Sequence, residues 1–130
     1  MADTQKKLLI ADDEADVHEF LHAVLERDGL VFIDAADGEE AVNKALAESP
    51  DLVILDVQMP KKDGFRVFAE LQANEATKSI PVVMLTAVSA RTGVKVDGKD
   101  MGSFLGKEPA AYVDKPIDPD KISEVVESLL

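Results

Sequence analysis

Five short runs in this chain are apolar at nearly every position, and each one stops at a polar residue. LLIA (8–11) stops at Asp12-Asp13-Glu14, Leu30–Ala36 at Asp37-Gly38 and LVIL (52–55) at Asp56. PVVML (81–85) stops at Thr86, and Ala110–Val113 stops at Asp114-Lys115. A strand that faces water on one side alternates apolar with polar, whereas a strand covered on both faces does not. Such runs therefore belong to a parallel sheet with helices on both sides.

The intervening segments supply those helices. Val17, Phe20, Leu21, Val24 and Leu25 recur at helical spacing, with Gly29 as the expected C-cap. Asp37 and Glu40 have the spacing of a capping box, and Ala41, Val42, Ala45 and Leu46 form the next apolar face before Ser49-Pro50 ends it. Phe65, Phe68 and Leu71 mark a third helix. Asp118 caps a last one, with Pro119 in its first turn and Ile122, Val125, Val126 and Leu129 facing inward. Strand–helix repetition with short connections predicts an α/β fold, a doubly wound five-stranded parallel sheet of flavodoxin-like topology. At 130 residues and 14.0 kDa, the expectation is one domain over 1–130.

Composition narrows the chemistry. With no cysteine, disulfides and thiolate metal sites are excluded. A formal net charge of -12 argues against a nucleic-acid surface within these residues, because phosphate backbones require clustered Lys and Arg. The polar start MADTQKK does not read as a signal peptide, and no apolar stretch reaches membrane-spanning length, so a cytoplasmic location is expected.

In an open parallel sheet, ligands gather beyond the carboxyl ends of the strands. Asp12, Asp13, Asp56, Thr86 and Lys115 all fall at such ends and are expected on one rim. Taken singly, Asp13 reads as a helix cap, Thr86 as a β-branched strand residue and Lys115 as a solvated turn residue. Together they suit phosphoryl transfer. Three neighbouring carboxylates repel one another and call for a cation, and oxygen-only ligands favour Mg2+. Asp56 is then the nucleophile that forms an acyl phosphate, with Lys115 and the Thr86 hydroxyl facing the phosphoryl oxygens. Asp63-Gly64 is expected to turn the chain before the third helix, with positive φ at Gly64. His18 and His22, four apart on the first helix, are expected to flank its apolar stripe as ordinary surface residues.

LLIADDE (8–14), LVILDVQMPKKDG (52–64), VVMLTA (82–87) and YVDKPID (112–118), in that order, resemble the response-regulator receiver domain of two-component signalling, over essentially the whole chain. The resemblance implies that Asp56 accepts phosphate from a histidine kinase or phosphotransfer protein in a phosphorelay. It implies that Mg2+ is held by Asp12, Asp13, Asp56 and the backbone carbonyl of Gln58. It also implies that Thr86 and Tyr112 form the switch, that Lys115 contacts the phosphoryl group and that the Lys115-Pro116 bond is cis. The output would be binding to a downstream protein target, with homodimerisation on phosphorylation left open. The domain would catalyse only its own phosphorylation and dephosphorylation.

Two departures stand out. The interval from Thr86 to Lys115 is several residues longer than the family usually shows, and carries four glycines where a fourth helix is expected. Val88 stands where many relatives have a polar residue, and with Gln58 it flanks the expected water path to the acyl phosphate. The chain ends just after its last helix, which suits either a stand-alone regulator or the receiver part of a longer protein. Three rivals remain. A phosphorylation-independent receiver-like interaction module would lack pocket residues that are present here. An aspartyl-phosphate phosphatase would need a second acid at position 58, which is Gln. A flavodoxin-like FMN carrier would need a Ser/Thr-rich phosphate loop.

Overall fold

The computed structural model describes residues 5–27, 29–57, 59, 63–87, 110–115 and 117–130. Five strands form one parallel sheet: β1 (Lys6–Ala11), β2 (Leu30–Ala35), β3 (Leu52–Asp56), β4 (Val82–Ala87) and β5 (Ala111–Lys115). Their order is β2-β1-β3-β4-β5, so the chain reverses direction across the sheet between β2 and β3. The described helices are α1 (Ala15–Leu25), α2 (Gly38–Glu48), α3 (Gly64–Ala73) and α4 (Pro119–Leu129). The expected α/β architecture is therefore observed. The long interval and the helix expected within it, residues 88–109, lie outside the described residues.

Successive side chains of each strand feed two separate cores. Leu9, Val53, Leu55 and Met84 pack with Ala41 and Ala45 of α2 and Val67, Phe68 and Leu71 of α3. Leu8, Ile10, Leu52, Ile54, Val83 and Leu85 pack on the other face with Leu21 of α1 and Ile122 and Val126 of α4. Every residue of the central strand β3 is buried, Asp56 included. The expected α2 face is narrower than its sequence pattern suggests: Ala41 and Ala45 are buried, but Leu46 is 41% exposed.

The helix ends follow local chemistry, with informative shifts. Asp37 accepts from the Glu40 N–H at 2.8 Å, but Glu40 Oε1 reaches back to the Ala36 N–H rather than to Asp37, so the box closes one residue early. Asp118 accepts from the N–H groups of Asp120 and Lys121, as expected of a cap. Gly29 does not cap α1, which ends at Leu25 with Glu26 as its C-cap. It supplies the turn into β2, with φ of 85°. Ser49 caps α2 with φ of 51°, a left-handed conformation that strains a side-chain-bearing residue. Ser49→Gly is therefore expected to raise stability by about 0.5–1 kcal/mol. A shift of the urea midpoint to higher concentration at unchanged slope would show it.

Candidate functional site

The carboxyl ends of β1, β3, β4 and β5 meet at one rim. Asp12 follows the last residue of β1, and its N–H donates to the Ala35 carbonyl at 3.1 Å. Its side chain is fully buried, with Oδ1 accepting from the Glu14 N–H at 2.9 Å. Glu14, not Asp13, occupies the N-cap of α1, so Asp13 is an exposed acid beside the buried one. Asp56 ends β3 and is 5% exposed. One carboxylate oxygen from each of Asp12, Asp13 and Asp56 can be chosen so that all lie within 4.8 Å of one another. Oxygen-only donors in a partly buried acidic cluster fit a hard divalent cation.

Lys115 is the last residue of β5, which runs two residues further than its apolar stretch because its pairing with β4 continues to Ala87↔Lys115. Its Nζ lies 2.9 Å from Asp12 Oδ2, 3.4 Å from Asp56 Oδ1 and 3.4 Å from Glu14 Oε1. Burial works against the ammonium charge, but the hydrogen bond and charge of Asp12, with those of Asp56, raise the lysine above its ordinary pKa. A raised lysine stabilises the fold fully below its unfolded pKa, and that contribution is lost only as pH rises through the folded value. Lys115 is thus a fixed cation at neutral pH.

Thr86, 3% exposed, donates its hydroxyl to Asp114 Oδ1 at 2.9 Å. The two are register partners on β4 and β5. Sequence reading placed Thr86 on the rim but did not identify Asp114 as its acceptor. Tyr112 is half-buried against the α2–α3 core. Gln58, Val88 and Pro116 lie outside the described residues, as do the readings placed on them.

Gly64 corrects an expectation. Its φ is not positive; it is the first residue of α3, with Asp63 capping through the Arg66 N–H at 2.9 Å. Glycine is required there for a different reason. A Cβ at Gly64 would lie 2.4 Å from the Asp56 carbonyl oxygen and 2.9 Å from Val57 Cα. The Gly64 N–H donates to the Val57 carbonyl at 2.8 Å, so α3 begins directly against the end of β3 that carries Asp56.

The histidines also differ from expectation. His18 reaches the rim: its Nε2 lies 2.8 Å from the Asp12 backbone carbonyl. Both rings converge on Asp34, a residue that the sequence pattern had not singled out.

An open parallel sheet with buried acids and a lysine at one rim defines an α/β protein of the flavodoxin-like class. Residues 8–127 match the response regulator receiver domain, and the chain belongs to that family. It is 38% identical over 125 residues to the alkaline phosphatase synthesis transcriptional regulatory protein PhoP of Bacillus subtilis, covering 96% of this chain and 48% of that one. It is 37% identical over 124 residues to the response regulator Rre1 of Synechocystis, covering 95% of this chain and 51% of that one. The chain thus spans about half the length of these curated relatives. Among solved structures it resembles the chemotaxis response regulator CheY4 of Vibrio cholerae, with a TM-score of 0.81 at 28% identity over 98% of this chain and 100% of that one. It also resembles the receiver domain of AraT, a response regulator from Geobacillus stearothermophilus, with a TM-score of 0.79 at 28% identity over 95% and 92%. No described helix is long and apolar enough to cross a membrane.

Proposed function

We propose that this receiver domain is a phosphoacceptor whose Asp56 takes a phosphoryl group from the phosphohistidine of a sensor kinase or phosphotransfer protein. The observation that carries the reading is the convergence of Asp12, Asp13 and Asp56 with the Lys115 ammonium at the sheet's carboxyl rim. An Asp56 carboxylate oxygen attacks phosphorus, the phosphorus–nitrogen bond breaks and the imidazole leaves. Asp12, Asp13 and Asp56 would hold Mg2+, with the Gln58 carbonyl that the family resemblance implies, and the ion would neutralise the phosphoryl oxygens. Lys115 is already charged and within reach of Asp56, so it can follow the new negative charge at little reorganisation.

The binding switch then rests on Thr86. Its hydroxyl must leave Asp114 to donate to a phosphoryl oxygen, and Tyr112, two residues before Asp114 on β5, responds to that exchange. The altered β4–β5 surface would be read by a downstream protein partner. Thr86→Val keeps the shape but removes the donor. It is expected to accept phosphate while losing most of the amide shift changes that spread to Tyr112 in the wild type. Full propagation to Tyr112 in that variant would remove Thr86 from the switch.

The direct test is titration with beryllofluoride and Mg2+ followed by amide spectra. Shifts at Asp56, Thr86 and Lys115 in the wild type and none in Asp56→Asn are expected. Unchanged spectra in the wild type would favour a phosphorylation-independent interaction module.

A further inference from the structure

We propose that His18, His22 and Asp34 form a second metal site, beside the acidic rim but sharing no ligand with it, which takes an imidazole-preferring divalent transition ion of the Zn2+ type. The two histidines are four residues apart on α1 and therefore share a face. His18 Nδ1 lies 2.7 Å and His22 Nε2 2.9 Å from the same atom, Asp34 Oδ1, on the edge strand β2.

The hydrogen-bond roles identify which nitrogens are available. The Asp12 carbonyl, 2.8 Å from His18 Nε2, can only accept, so that nitrogen carries a hydrogen. The other ring nitrogen, Nδ1, is the one that faces the Asp34 carboxylate. One nitrogen from each ring and one Asp34 oxygen lie within 4.8 Å of one another, close enough for a single metal ion to gather all three. A backbone carbonyl holding the far nitrogen is also the usual support behind a ligating imidazole. His22 is fixed independently by stacking on Phe32, with ring centroids 4.3 Å apart. Asp34 is placed by its register with Ile10 and by Lys44, which donates to its backbone carbonyl. The Lys44 charge is offset by Glu40 at 3.0 Å.

Ligand atoms around a tetrahedral ion with bonds of about 2.0 Å stand about 3.3 Å apart, so the cluster must open by about half an ångström. A cavity of about 460 Å³ lined by Asp12, Asp13, His18, Asp34 and Glu40 opens beside His18 and Asp34. Two nitrogen donors select against Mg2+, which the oxygen-only rim prefers. The two sites are therefore chemically sorted, and this one does not depend on Asp56 accepting phosphate.

The test is calorimetric titration of the untagged chain with zinc chloride in excess Mg2+, read alongside imidazole nitrogen spectra. His18 and His22 are the only histidines in the chain, so both signals are assignable. One site is expected, with His18 Nδ1 and His22 Nε2 as the shifted nitrogens. His22→Gln and Asp34→Asn should each weaken zinc binding by at least about tenfold. Displacement of zinc by Mg2+, unshifted ring nitrogens or the absence of binding would each overturn the proposal. The wild-type spectra decide it even if a variant fails to fold.

Discussion

Lys115→Ala is expected to keep Mg2+ binding while its gain of phosphate from acetyl phosphate falls by roughly 100-fold, the scale seen when one preorganised donor to a developing charge is removed. Lys115 contacts Asp12 and Asp56 but is not one of the oxygen donors, so cation binding survives its loss. Removing the ammonium leaves two buried carboxylates facing each other. Without Mg2+, the variant should therefore lose about 2 kcal/mol of stability, less than breaking a fully buried pair because Lys115 is 18% exposed. Added Mg2+ should restore much of that loss by binding the folded state alone. Thermal melts with and without Mg2+, beside the phosphorylation time course, separate the two effects. Loss of Mg2+ binding in Lys115→Ala would contradict the role assigned to the lysine.

Gly64→Ala should cost about 2 kcal/mol and disable the site at a distance from its chemistry. The added Cβ would meet the Asp56 carbonyl oxygen at 2.4 Å, and backbone, unlike the tip of a side chain, cannot swing aside. Overpacking against a fixed neighbour typically costs 1–3 kcal/mol, and the helix-propensity gain of alanine offsets about 1 kcal/mol at most. Relief requires either α3 or the end of β3 to move, and β3 carries the nucleophile. The variant should unfold at lower urea with unchanged slope, and the protein that remains folded should accept phosphate more slowly. Wild-type stability in Gly64→Ala would mean that the approach of α3 to Asp56 is not a constraint.

The fold was largely legible because strands covered on both faces are apolar throughout, which leaves a pattern that helices of 3.6-residue period do not share. Asp12, Asp56, Thr86 and Lys115 could be assigned to one rim because parallel strands share polarity, whatever their order. What escaped depends on register and rotation. Thr86 and Asp114 are partners only because β4 and β5 pair in one register, which neither run specifies alone. Asp63-Gly64 reads as a turn with positive φ, but the need for glycine comes from the end of β3, eight residues earlier in the chain, and no local signal carries it. The apolar stripe of α1 leaves the helix's rotation loosely defined, enough to miss that His18 reaches the Asp12 carbonyl and that both rings meet Asp34.

The measurement that bears most directly on the proposed function is intact mass of the protein after incubation with acetyl phosphate and Mg2+. The expected result is a gain of one phosphoryl group in the wild type, lost on chelation of Mg2+ beforehand and absent in Asp56→Asn. A wild type that gains no phosphoryl group, or an Asp56→Asn variant that gains it equally, would contradict the assignment of Asp56 as the phosphoacceptor.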